Sequence, residues 1–283
     1  MARRRIADEP TSRLAIWARR LAFFSLAATV LAIAIVRSGL LEIRPAMATL
    51  AGALVFAVFA IVLALGAFIV IWKDGIDGAG YAFAGLAIGL ALIAYPAYLG
   101  TRAYRLPAIN DITTDPLDPP RFDVIARLRP RGTVEYAGLY AAEQQQAAYP
   151  EVEPLVVSAT PQIAYEAAIA TINRRKWRVV VDRPPQAGRR DGQIEAVART
   201  AIMGFRDDVA VRVRASGADA RIDVRSASRY GQHDLGVNAA RIRSLLDDID
   251  DAVSSKTEER NRRPAAKPAP AKPAQPARQP ANR

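Results

Sequence analysis

Three apolar stretches without a single Asp, Glu, Lys or Arg fill the first third of the chain, at residues 21–36, 47–72 and 79–100. A bilayer core of about 30 Å takes roughly 20 helical residues to cross, so the second and third stretches are long enough to span it. The sequence therefore reads as transmembrane helices at about 21–41, 47–72 and 79–100, followed by a soluble C-terminal part. The first stretch is short, and two readings fit it. A basic lead-in and the small residues Ala32 and Ala34 suit a cleaved signal peptide, whereas Arg37, Leu40 and Leu41 suit a retained span whose arginine snorkels to the interface.

Orientation is the same under both readings. Arg3, Arg4, Arg5, Arg13, Arg19 and Arg20 precede the first stretch, and residues 1–20 are expected to stay in the cytoplasm as a basic N-terminus. Three spans, or two after cleavage, then put everything beyond Gly100 on the outer side. No ionisable residue lies within the stretches, which argues against an ion path or proton relay. Gly85 and Gly89 form a GxxxG that would allow another helix close approach, although small residues are common in alanine-rich spans.

Residues 101–154 carry Pro107, Pro116, Pro119, Pro120, Pro130 and Pro150 among polar residues, and are expected to form an extended connector with a short strand or turn within 132–142. Asp111, Asp115 and Asp118 lack the spacing of a calcium loop, so turn and cap roles fit them better.

From 155 to 253 the pattern is that of an α+β domain. A short strand at 155–157 precedes a helix opened by Thr160 and Pro161. Strands follow around Trp177, Val179 and Val181, then at 193–201, 208–215 and 220–228. A last helix from near Asn238 sets Ile242, Leu245, Leu246, Ile249 and Val253 on one face. This order predicts a two-layer α/β sandwich, helix-grip-like, with a mostly antiparallel sheet.

The runs NDITTDPLDPPRF at 110–122, AYPEVEPL at 148–155, GFRDDVAVRV at 204–213 and IDVRSASRYGQHDLGVNAARI at 222–242 resemble the bacterial family called domain of unknown function 1499, over about residues 110–253. The resemblance implies no activity, so chemistry must come from the residues. If the loops around 205–208 and 228–238 meet at one end of the sheet, Asp207, Asp208, Ser228, Arg229, Asp234, Asn238 and Arg241 converge into a polar cluster able to bind a headgroup or cation. The competing reading is that these side chains cap turns and pair with one another.

Other chemistries are poorly supported. His233 is the only histidine and no cysteine occurs, so a zinc site of ordinary composition is ruled out and no cofactor is implied. No nucleophile elbow, P-loop or dinucleotide fingerprint is present. Alternation along two strands would turn Arg212, Arg214, Arg221 and Arg225 outward as a basic face, diluted by Asp223. Much of the net charge of +11 lies in the N-terminal arginines and in residues 254–283, a Pro/Ala/Lys-rich tail expected to be disordered.

The expected protein is thus a bacterial cytoplasmic-membrane protein with a domain in the periplasm. It would bind an anionic lipid, a cell-wall glycan or an envelope protein without catalysis, and no nucleic acid. The alternative is an envelope enzyme acting on lipid or glycan through the carboxylate cluster.

Overall fold

A computed structural model describes residues 10–39, 43–129, 136–186 and 191–262. The basic residues 1–9, Leu40 and Leu41, and the tail from 263 onward lie outside that description. The chain opens with three helices, α1 (Arg13–Ser38), α2 (Ile43–Asp74) and α3 (Ala79–Arg105). All three are long and apolar enough to cross a membrane. α1 begins eight residues before its apolar stretch, because Ser12 caps it, its Oγ accepting from the Ala15 N–H. Arg19 inside this extra length stacks over the Tyr81 ring at 4.0 Å.

The helices pack through small residues. Ala15, Ala18, Ala22 and Ala32 of α1 and Ala53, Ala57, Ala60 and Ala64 of α2 are buried, and Ser25 Oγ donates to the Ala53 carbonyl at 2.6 Å. The GxxxG of α3 works inside this bundle. A Cβ on Gly85 would lie 2.9 Å from the Ala18 backbone, and one on Gly89 2.7 Å from Ile61 Cγ1 and 3.1 Å from the Ala57 carbonyl oxygen. In lipid, close approach of this kind supplies the van der Waals contact that burial from water cannot.

The remaining elements are β1 (Asp111–Thr113), α4 (Val124–Arg127), α5 (Gly138–Ala148), β2 (Leu155–Val157), α6 (Pro161–Arg174), β3 (Arg178–Arg183), β4 (Gly192–Arg199), β5 (Arg206–Ser216), β6 (Asp219–Ser228) and α7 (Val237–Arg262). The strands form one open sheet of order β1-β6-β5-β4-β3, with β2 sharing the outer edge of β6, and each described pairing is antiparallel. The α+β expectation is met. α6 and α7 cover one face, where Tyr165, Ala168, Ile172, Ile242, Leu245 and Ile249 pack on Ile194, Ala196, Val209, Val211, Ile222 and Val224. Leu246 flanks this core, partly buried.

Several expectations need correction. Residues 101–154 are not simply extended: α3 runs on to Arg105, β1 pairs with β6, and α4 and α5 are helical. Of the turn or strand expected at 132–142, residues 132–135 lie outside the described residues, and Gly138–Ala142 belongs to helix α5. The segment is held because Ile109, Ile112, Phe122, Ile125, Tyr149 and Val152 are buried, although Leu117, Leu128, Leu139 and Tyr140 stay exposed. Gln145 of α5 fixes it further, its amide accepting from the Thr113 N–H and donating to the Thr113 carbonyl. The last helix also continues through residues 254–262, expected to be tail.

The basic outer face is likewise absent. Arg212, Arg214 and Arg221 do lie on the face opposite the helices, but Asp115, Asp118 and Asp223 meet them, and Arg225 makes a bidentate pair with Asp111. Over the same face Phe122 and Ile125 pack on Ala210 and Ala227. The sheet is therefore covered on both sides.

Gly85→Ala and Gly89→Ala should each destabilise the full-length protein by about 1–3 kcal/mol, because backbone stands in the way of the added methyl group. Gly80→Ala has open space around it and serves as the control. Thermal melting in detergent reads the difference, and three equal melting points would mean that the helices do not pack this way.

Candidate juxtamembrane binding site

Adjacent strand residues point to opposite faces, and this splits the expected cluster. Asp207 faces the helices, whereas Asp208 faces the other side. There Asp208 is fully buried between Arg129, whose Nε donates at 2.5 Å, and Arg229, whose Nη2 donates at 2.7 Å. Asp208 and Arg229 therefore belong to the ion pairs under the connector segment. They do not meet the other candidates.

On the helix face the remaining candidates do come together. Arg241 donates through Nη2 to Asp207 Oδ2 at 2.5 Å and through Nη1 to Asn238 Oδ1 at 2.5 Å and Ser226 Oγ at 2.9 Å. Asn238 Nδ2 donates to Ser228 Oγ and to the Asn110 carbonyl, both at 3.0 Å. Asp234 sits just before α7, its two oxygens accepting the Gly236 and Asn238 N–H groups at 2.9 and 2.8 Å. It holds the start of the helix, the role of a capping carboxylate.

This cluster is the floor of a cavity of about 410 Å³ between α3 and the domain. Tyr95 and Leu99 of α3 form one wall, and Ile202, Met203 and Phe205 of the β4–β5 loop form the other. Asp207, Ser228, Asp234 and Arg241 supply the polar end. Asp207, at 2% exposure, and Arg241 form a nearly dry ion pair in this mostly apolar recess.

Three contacts set the cavity's shape by docking the domain on the helix ends. Arg37 Nη1, at the end of α1, donates to the carbonyls of Ala201 and Ile202 at 2.7 and 2.9 Å. His233 Nε2 lies 3.1 and 3.0 Å from the carbonyls of Ala103 and Leu106, and Nδ1 accepts from the Leu235 N–H, a set that requires the proton on Nε2. Gly236, at φ +77°, closes the third contact. A Cβ there would lie 2.6 Å from the Arg102 guanidinium, so the left-handed turn lets the loop settle on α3.

The sequence reading named the polar floor but not the membrane wall. Tyr95 and Leu99 look like ordinary span residues, and their role depends on which side of α3 the domain covers. The one available signal was the run Ala201-Ile202-Met203-Gly204-Phe205, an apolar loop between two strands that already have apolar faces. Among the described residues no three His, Cys, Asp or Glu side chains are placed to hold a metal ion.

Burial pushes the Asp207 carboxyl above its ordinary range, opposed by Arg241 and by a hydrogen bond from Ser228. Burial raises Asp234 in the same way, against its two backbone hydrogen bonds.

The sequence model of the family described as "Protein of unknown function (DUF1499)" matches residues 111–249, from β1 into α7. The match covers just under half of the chain and bears out the resemblance. No curated protein matches the chain.

Because the folded Asp207 holds its proton to higher pH than the unfolded one, its contribution to stability is complete below the unfolded value of about 3.9 and is lost as pH rises through the folded value. Asp207→Asn keeps an oxygen for Arg241 and cannot titrate. Melting of the full-length protein across mildly acidic pH should therefore show a shallower loss of stability with rising pH in the variant. Parallel curves would mean that Asp207 titrates normally.

Proposed function

We propose that this protein is a membrane-anchored, non-catalytic binding domain whose ligand is a membrane lipid, taken up in the juxtamembrane cavity. The observation that carries the reading is the composition of the walls. One side of the cavity is a helix of the membrane bundle and the other an apolar loop of the domain, with a buried ion pair at the closed end. A recess with apolar walls and a few convergent polar groups suits an amphipathic ligand better than a glycan, which would leave its hydroxyls facing Leu99, Ile202 and Met203.

The enzyme reading is the weaker one. It calls for Asp207, Asp208 and Asp234 around one reacting atom, yet Asp207 and Asp208 sit on opposite faces of the sheet and both oxygens of Asp234 already accept backbone N–H groups.

The location we propose is the bacterial cytoplasmic membrane, with the domain on its outer side and α1 retained. The arginines before the first span and the parity of three helices support that orientation.

Met203→Trp fills the recess. Mass spectrometry of lipid carried through detergent purification should show loss of bound lipid in the variant while its melting point stays within a few degrees of the parent. Equal lipid content in the two proteins would sink the cavity reading. For orientation, an alkaline phosphatase fusion after Asn110 should be active and one after Asp77 inactive. Activity at Asp77 would reverse the assignment.

A further inference from the structure

The arginines along the sheet and those at the end of α1 differ in their partners. Those under the connector segment are neutralised, Arg212, Arg214 and Arg221 by Asp115, Asp118 and Asp223, and Arg225 by Asp111. Arg37, Arg199 and Arg206 are different: among the described residues, none of them makes an ion pair with a carboxylate.

All three stand together. Arg199 Nη1 donates to the Arg37 carbonyl at 3.1 Å, and Arg37 donates in turn to the carbonyls of Ala201 and Ile202. The end of the Arg206 guanidinium lies 2.7 Å from where a Cβ on Gly39 would be, and a Cβ on Gly204 would lie 2.9 Å from Arg37 Cγ. The group therefore surrounds the C-terminal end of α1, where the apolar stretch ends and the chain meets the bilayer surface. That helix end carries about half a negative charge, against three full positive ones. Most of the positive charge is left unmatched, and so are most of the five N–H donors of each guanidinium. Arg199 also lines the cavity, and Ala201 and Ile202, held by Arg37, form part of its wall.

We propose that Arg37, Arg199 and Arg206 seat the phosphate of an anionic phospholipid, part of one acyl chain of which enters the cavity. This rests on the cavity reading above and adds the headgroup to it. The layout suits such a ligand: the three guanidinium groups stand where the apolar stretch of α1 ends, beside the cavity that Arg199 lines. Guanidinium groups bind phosphate oxygens with paired, charge-assisted hydrogen bonds, and at a membrane surface these outweigh what exposed pairs contribute in water. The Asp207–Arg241 pair lies deeper and is already internally neutralised, so it does not compete for the phosphate.

The test uses the full-length protein in phosphatidylcholine nanodiscs with and without phosphatidylglycerol, followed by washing and quantification of retained lipid. The parent should retain phosphatidylglycerol in excess over its share of the disc. R199Q/R206Q should lose about fivefold of that preference per arginine removed, and R199K/R206K should recover most of it, since a lysine still offers a point charge to phosphate. Should the double Gln variant melt early, R206Q alone gives the same reading, because the Arg206 side chain makes no hydrogen bond to the protein among the described residues. Retention of lipid without headgroup preference, or preference unchanged in the Gln variants, overturns this proposal and leaves the cavity reading in place. A parent that retains no lipid overturns both. Displacement of phosphatidylglycerol by inorganic phosphate alone would show a site for the free anion and would overturn the lipid assignment.

Discussion

The β5–β6 hairpin governs the domain because both of its faces are covered. Each strand sends alternate side chains to opposite sides, so a polar residue in the covered middle of the hairpin enters one of two buried environments and must find a partner there. Asp207 goes to the helix face and meets Arg241. Its neighbour Asp208 goes to the other face and meets Arg129 and Arg229. Neither position tolerates a partner taken from the other side, so the polar floor of the cavity and the ion pairs behind the sheet are separate systems joined only through the backbone.

That arrangement explains why a proline-rich, acidic segment is wrapped over the sheet. Without Asp111, Asp115 and Asp118, the arginines of β5 and β6 would face water as a dense cationic surface. With those residues in place, Asp223 can be fully buried among Arg212, Arg214 and Arg221. Ion pairs of this type contribute little net stability, since desolvation offsets most of their attraction, but removing one partner costs about 3–5 kcal/mol. Their effect is therefore on position: the segment has one low-energy register on the sheet. Glu195 adds to this from β4, its carboxylate accepting the N–H groups of Asp123, Val124 and Ile125 at the start of α4.

What the sequence disclosed follows from how each signal is generated. The three membrane helices were legible because length and apolarity alone define them. α6, α7 and the strands β3 to β6 were legible because each buries one face and so carries a clear period. β1, α4 and α5 were not, since three to eleven polar, proline-flanked residues have no period to read, and they are ordered only by what they touch. The resemblance beginning at Asn110 was the better guide, because the matched segment starts at β1 and not at the first clearly periodic strand. At the site, the pairing and capping given as the competing reading describe the contacts these side chains make. Their full convergence fails, because Asp207 and Asp208 were treated as neighbours in space when the pleat separates them.

The cavity itself is legible in neither the membrane part nor the domain taken alone. Its floor comes from β5, β6 and α7, but Tyr95 and Leu99 come from α3, and Arg37 holds the β4–β5 loop against the end of α1. The segment that matches a family, 111–249, holds the floor and one wall but lacks the second wall and Arg37. Severed from the helices, the same residues would present an open apolar groove beside a buried ion pair, with Ile202, Met203 and Phe205 facing water. An apolar rim of that kind is favourable only against a membrane helix or a bound chain. The three docking contacts, made by Arg37, His233 and Gly236, therefore do more than tether the domain: they close one side of the groove against the helix ends.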